Sequence, residues 1–265
     1  MRKAPFSGRQ LVAMERNMRN LQHHTPRPSA HRVQSFIDFS LAWLDERQYT
    51  LTIDADLAGW MTIMRTTVGA EIINPSFDPD HSLLTAQNSF WLDIRAGSET
   101  IAVSAARLLV TDDMTELMRS MRLWYTAPTQ KFEIFLASPI PLICGRVGYE
   151  GGLWVHPRHR GRGLSVILPH LNRALCHREW SVEWQTGLVH RSLAESNLTR
   201  RAYGFPRIVQ CSAGYFPVTR KVDPLYLVYL SEAELLRGLD VDTVTRLPAY
   251  GNGQVRDPVA RVQKR

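Results

Sequence analysis

Residues Gly152 to Gly163 read Gly-Leu-Trp-Val-His-Pro-Arg-His-Arg-Gly-Arg-Gly, and the fold turns on them. Gly152 to Val155 read as a strand, apolar from Leu153 on. Pro157 ends it, because proline has no backbone N–H to give to a ladder. Arg158, Arg160 and Arg162 then alternate with His159, Gly161 and Gly163. The following stretch, LSVILPHLNRALCHREW from Leu164 to Trp180, predicts a helix. Strand, glycine-rich loop and helix in that order make an anion site by mechanism. Glycine takes positive φ and lets backbone N–H groups approach an anion closely. The first helical turn adds orphan N–H groups and the positive end of its dipole. The arginines add forked donors suited to phosphate. Two common nucleotide loops are excluded. GxxxxGK[ST] is absent, and Leu164 and Ser165 follow Gly163 where the dinucleotide fingerprint would need a third glycine.

Working outward, strand and helix patterns alternate. Upstream, SFWLDIR (89–95) and ETIAVSAARLLV (99–110) read as a hairpin about Ala96–Gly97–Ser98. Ser35 to Leu44 reads as a short helix, YTLTI (49–53) as a strand, and 54–70 as a helix ending near Gly69. Met114, Leu117, Met118 and Met121 have helical spacing, and FEIFLA (132–137) reads as a strand or sheet edge. Downstream, SVEWQTGLV (181–189) predicts a strand, 190–205 one helix, 208–216 and 224–230 the last strands, and 232–239 a closing helix. This order predicts an α/β (α+β) fold with a mixed central sheet and flanking helices. Leu11, Met14, Met18 and Leu21 suggest a further helix, followed by the proline-bearing linker HHTPRPSAH. The predicted organisation is therefore an N-terminal helical extension and linker over 1–45, a domain over 46–240, and a flexible basic tail over 241–265.

Composition narrows the function classes. With 265 residues, 44% of them hydrophobic and 22% charged, the chain can bury a substantial core. The apolar stretch Phe132–Cys144 is interrupted by Glu133, Pro139 and Pro141. It falls short of the roughly 20 residues a membrane span needs. No apolar segment follows the basic start MRKAPFSGRQ, so no secretory signal is read there. Cys144, Cys176 and Cys211 are widely spaced and odd in number, which fits small core residues in a reducing cytoplasm. No metal is expected, because His23–His24 and His156–His159 have no acidic or cysteine partners at ligand spacing. The net charge of +7 is concentrated. Residues 1–33 hold seven Lys/Arg and one acid, 155–178 hold five arginines and no acid, and 241–265 hold five Lys/Arg and two aspartates. The middle group coincides with the glycine loop.

The order Val-x-Pro-x-x-Arg-Gly-x-Gly over 155–163 resembles the central motif of the GNAT (GCN5-related) N-acetyltransferase superfamily. Its core, R/Q-x-x-G-x-G/A, is filled here by Arg158, Gly161 and Gly163. The resemblance extends over about 49–232 and is specific over 150–206. It implies a GNAT-like mixed sheet and acetyl-CoA or another acyl-CoA as co-substrate. It implies that Arg158, His159, Arg160, Gly161, Arg162, Gly163 and Leu164 surround the pyrophosphate. The backbone of Leu153, Trp154 and Val155 would pair with the pantetheine arm, and Asn197 would contact the cofactor. Tyr203-Gly204-Phe205 resembles the closing motif, although the family's tyrosine stands earlier, where this chain has Arg200. Tyr203 is thus the candidate acid for the departing thiolate. Pro169 predicts a kink in the helix after the loop, which would reshape an acyl pocket.

The activity implied is direct transfer of an acyl group to a primary amine, on a small molecule or a protein. Such a reaction needs a base for the amine proton and a donor for the carbonyl oxygen. Glu183 on the next strand is the first candidate base and Glu150 the second; His156 and His190 sit at strand ends. Trp154, Trp180 and Trp184 are candidates for a pocket lining or for the core. Other readings stay open: a non-catalytic acyl-CoA-binding module of this fold, a longer-chain N-acyl amino acid synthase-like enzyme, or a basic nucleic-acid-binding protein. Against the last, the arginines are not interleaved with stacking aromatics. A homodimer is left open.

Overall fold

The computed structural model describes residues 28–70 and 72–240, so the expected helix over 1–24 and the tail over 241–265 lie outside the described residues. The first element, α1 (Pro28–Asp45), shows why the expected boundary at residue 45 is too late. Val33, Phe36, Ile37 and Leu44 recur at helical spacing and are all buried in the main core. The helix is therefore part of the domain, not an extension of it.

β1 (Tyr49–Asp54) leads to α2 (Leu57–Ile63), whose cap is Asp56, with Oδ1 accepting from Ala58 N at 3.1 Å. A π-turn continues it to Val68, and Gly69 closes it at φ 73°. β2 (Ser89–Ala96) and β3 (Glu99–Thr111) form the expected hairpin, turning at Gly97 with φ 60°. α3 (Met114–Arg119) buries Met114 and Met118. The 132–137 segment forms no strand of the sheet. Phe135 N and Ala137 N nonetheless donate to Cys211 O and Gln210 O, each at 2.9 Å, so it lies along the sheet edge.

β4 (Gly145–Val155) begins seven residues before the strand read from the sequence. It is followed by α4 (Leu164–Trp180), β5 (Trp184–His190) and two short helices, α5 (Arg191–Ala194) and α6 (Asn197–Arg201). A single helix was expected over these last two. Ser196 divides them because its hydroxyl caps α6, accepting from Leu198 N at 3.3 Å. β6 (Arg207–Ser212), the small β7–β8 hairpin (Tyr215–Phe216 and Lys221–Val222), β9 (Leu225–Ser231) and α7 (Glu232–Gly238) complete the domain.

The main sheet has seven strands in the order β1-β2-β3-β4-β5-β9-β6. Every neighbouring pair is antiparallel except β4–β5. This is the mixed sheet with flanking helices that the alternation predicts. One face carries α1 and α4 and the other α2, α3 and the loops after them, so a hydrophobic cluster forms on each face. On β3 the face toward α4 presents Ala102, Ser104 and Ala106 at period two, small enough for the helix to lie close. Asn172 of α4 bonds Ser104 Oγ at 2.8 Å across that contact. α4 runs unbroken through Pro169, and almost its whole circumference is buried.

Candidate functional site

The parallel pair β4–β5 stops halfway. Its register runs from Val147 opposite Trp184 to Glu150 opposite Gly187, yet β4 continues to Val155 and β5 to His190. The reason lies in β4. Gly151 faces Ala105 and Trp154 faces Val103, so β4 has one residue more than β3 here, and Gly152 takes φ 62°. Such a bulge bends its strand and strengthens the local twist. Glycine is required twice over. A Cβ on Gly151 would stand 2.7 Å from Phe77 Cε2, and one on Gly152 would collide with the Trp60 ring. Two aromatic rings thus press on the bulge from the α2 side. Beyond it, Gly151 to His156 are only half-buried although they belong to a middle strand. Leu153, Trp154 and Val155 therefore have no β5 partner, and apart from Val155 O, which accepts from Arg160, their edge toward β5 is able to pair with an extended ligand.

That edge leads straight into the glycine loop. His156 caps a short turn, Pro157–His159, with its Nδ1 accepting from Arg158 N at 3.2 Å. Gly161 and Gly163 follow at φ 75° and 87°, and α4 begins without a side-chain cap. Among the described residues, the N–H groups of Gly161, Arg162, Gly163, Leu164 and Ser165 have no backbone acceptor. Val166 N and Ile167 N are the first to be satisfied, both by Gly163 O. Five successive donors leading into a 17-residue helix, with Gly161 and Gly163 at positive φ, are the makings of an anion nest. Trp43 of α1 closes one side, 2.9 Å from where a Cβ on Gly163 would stand.

The loop side chains are held individually. Arg158 Nη2 meets Glu99 Oε1 at 2.6 Å, which ties the loop to the β2–β3 turn. His159 Nδ1 lies 3.2 Å from Tyr49 Oη, and partial burial and then the Arg162 charge lower its pKa. Arg160 Nε donates to Val155 O at 3.2 Å, and Arg162 is exposed. Asn197, exposed at the start of α6, and Tyr203, half-buried just after it, lie in the segment that follows β5; Tyr203 packs on the core shared with α4.

Of the two carboxylates expected to act as bases, one lies away from the opening and the other at it. Glu183 stands at the opposite end of the parallel pair, its Oε1 accepting from Arg146 N at 3.1 Å. Parallel strands put residues just before β5 beside the start of β4, far from a loop at its end. Glu150 is at the divergence point but is engaged. Arg173 contacts it with Nη2 at 2.8 Å and Nε at 3.2 Å, and Gln185 Nε2 donates at 3.0 Å. The pair is buried, with side chains 11% and 2% exposed. Arg173 also covers the Phe205 ring at 4.1 Å. The tryptophans do not cluster: Trp180 and Trp184 are at the far end, and only Trp154 is near the opening.

The residue pair that sequence reasoning missed is His190–Asp223. His190 ends β5, and its Nδ1 lies 2.6 Å from Asp223 Oδ2. Nothing in the spacing could have found it, since Asp223 comes from the turn before β9, 33 residues later. Beside it, a cavity of about 140 Å³ opens on the face of the sheet opposite α4, lined by Tyr149 of β4 and by Leu188 and His190 of β5. Burial pushes the Cys176 and Cys211 thiols up, the latter to about 12, which keeps them protonated. Among the described residues no three His, Cys, Asp or Glu side chains gather as metal ligands, and no helix is long and apolar enough to cross a membrane.

No protein-family model matches the chain, and no curated protein matches it. Solved structures with a similar chain path include NAA60 of Arabidopsis thaliana in complex with acetyl-CoA, 16% identical, covering 69% of this chain and 99% of that one, with a TM-score of 0.40. Spermidine N-acetyltransferase from Vibrio cholerae is 10% identical, covering 71% and 96%, with a TM-score of 0.44. The aminoglycoside acetyltransferase AAC(6')-Ib in complex with coenzyme A and kanamycin is 13% identical, covering 71% and 98%, with a TM-score of 0.41.

Proposed function

We propose that this chain transfers an acyl group from acyl-CoA to a primary amine by direct attack of the amine on the thioester. One observation carries the reading: a strand edge without a β5 partner, 153–155, runs directly into five N–H groups, in the glycine loop and the first turn of α4, that have no backbone acceptor among the described residues. Pantetheine is an extended chain with amide groups that can pair along such an edge. The pyrophosphate that follows it in CoA is the anion the nest suits. A ligand held at both points would bring its thioester to the mouth of the β4–β5 divergence. There a β4 N–H can serve the carbonyl oxygen as it gains charge. Positioning two reactants on either side of one opening supplies much of the rate. Tyr203 is proposed as the proton source for the departing thiolate and Asn197 as a cofactor contact.

The test is calorimetric titration with acetyl-CoA, on the wild type and on Gly161→Asp. The substitution puts a Cβ at φ 75° and a negative charge inside the nest. Loss of charge-assisted hydrogen bonds worth about 1.5–3 kcal/mol should weaken binding by roughly 10- to 100-fold. Equal binding by both proteins would remove the cofactor from this loop. Binding with no turnover of any amine would instead support a non-catalytic acyl-CoA module.

A further inference from the structure

We infer that the cavity on the other face of the β4–β5 opening is the acceptor site, that it takes a primary amine carried on an apolar body, and that His190, positioned by Asp223, is the base. This rests on the acyl-CoA reading above and deepens it.

The cavity is placed by the same divergence that frees the β4 edge. Along β5, Leu188 and His190 point to one face and Val189 to the other, where it joins the core under α4. The glycine loop and the start of α4 flank one side of the opening, and the cavity flanks the other, so a donor and an acceptor can meet without sharing an entrance. Trp124, Phe216, Val218 and Leu188 make the apolar part of its wall, beside the polar Thr219. Tyr149 and Asn74 supply polar atoms, and among the described residues no Asp, Glu, Lys or Arg lines it. A polyamine or aminosugar would enter with several charges and find, among the described residues, no carboxylate in the lining and at the rim only that of Asp223, already paired with His190, at a large desolvation cost. A monoamine with an aliphatic or aromatic body needs to shed one charge only, and the apolar walls favour its neutral form.

His190 stands at the rim, its side chain 48% exposed. The Asp223 carboxylate, 2.6 Å from Nδ1, favours the tautomer with its proton on Nδ1, which leaves Nε2 as the basic nitrogen. In the step proposed, the neutral amine forms the C–N bond to the thioester carbon, and His190 Nε2 takes one proton from that nitrogen. The C–S bond then breaks, and coenzyme A leaves with the electron pair as a thiolate, which is protonated in turn. The other charged groups sharing the depression around His190 are Arg191 and Glu195, which face each other at 3.6 Å. Tyr149, whose pKa burial raises, stays a neutral phenol.

The experiment uses the full chain with acetyl-CoA and two amine probes, 2-phenylethylamine and spermidine. Acetyl-CoA binding is measured separately by calorimetry. The expected result is turnover of 2-phenylethylamine in preference to spermidine. His190→Gln should lower kcat by about 100-fold or more while leaving acetyl-CoA affinity unchanged, which also shows that the variant is folded. The acidic limb of the kcat/KM profile should disappear in His190→Gln and move in Asp223→Asn. A preference for spermidine, or no turnover of 2-phenylethylamine, would overturn the acceptor class. An acidic limb that survives in His190→Gln would overturn the base. Either result with acetyl-CoA still bound leaves the donor site standing, whereas a wild type that binds no acetyl-CoA sinks the donor reading and this inference with it.

Discussion

Gly204 shows how a single residue can carry a motif. It sits between Tyr203 and Phe205 at φ 70°, and a Cβ there would lie 2.7 Å from His170 Nε2 and 3.3 Å from Arg173 Nη1. The Tyr-Gly-Phe signature is thus a packing requirement: the chain must turn left-handed under α4 so that Phe205 can slide beneath the Arg173 guanidinium. Gly204→Ala combines a strained φ with a steric conflict against two buried side chains, and should lower stability by about 1–3 kcal/mol. Chemical denaturation with the transition slope held constant measures this. An unchanged midpoint would show that α4 can give way here. At the same scale, the serine hydroxyl of Ser196 is enough to split the expected helix after β5 into two.

Among elements, the contact of β4 with α4 governs the opening. Glu150 is the last paired residue of β4 toward β5, and its carboxylate is clamped by Arg173 from α4 and Gln185 from β5. Three elements are joined at the point where two strands part. A buried ion pair is costly to break from one side, because the remaining charge has no partner. Glu150→Leu alone should therefore cost about 3–5 kcal/mol, whereas Glu150→Leu with Arg173→Met should recover much of that loss. Thermal or urea unfolding of the two variants decides it. If the double variant is no better than the single one, the pair contributes more than charge compensation.

For the whole molecule, the sharpest handle is pH. His170 is fully buried in α4, its Nδ1 at 2.7 Å from Val166 O, and burial followed by the neighbouring Arg173 charge lowers its pKa from 6.5 to about 3. The folded state holds it neutral while the unfolded state protonates it. Its contribution is therefore complete above about pH 6.5 and is lost as pH falls from there toward 3. The slope is about 1.4 kcal/mol per pH unit for one group. His170→Gln should flatten stability against pH in that window relative to the wild type. Parallel slopes for the two proteins would mean that other groups dominate acid unfolding.

The sequence by itself determined the local chemistry. The apolar run, Pro157, Gly161, Gly163 and the helix to Trp180 were legible because strand period, proline, glycine and helix signals all act within a few residues. The order of strands and helices followed from the same short-range patterns, and with it the mixed sheet. What distance along the chain conceals was decided only in the tertiary structure. That α1 belongs to the core depends on what its apolar face meets, not on its own pattern. The start of β4 at Gly145 was hidden because Gly145, Gly148, Gly151 and Gly152 have no side chains to show a strand period. All four are placed by side chains from elsewhere: Glu183 against Gly145, Gln185 against Gly148, Phe77 against Gly151 and Trp60 against Gly152. Glu183 ranked ahead of Glu150 as a base because a carboxylate in a list of residues carries no partner. Parallel pairing sent one to the far end and folding handed the other to Arg173. His190 found Asp223 by the return of β9 beside β5, a contact whose energy depends on a distance of 2.6 Å in space and on no spacing in sequence.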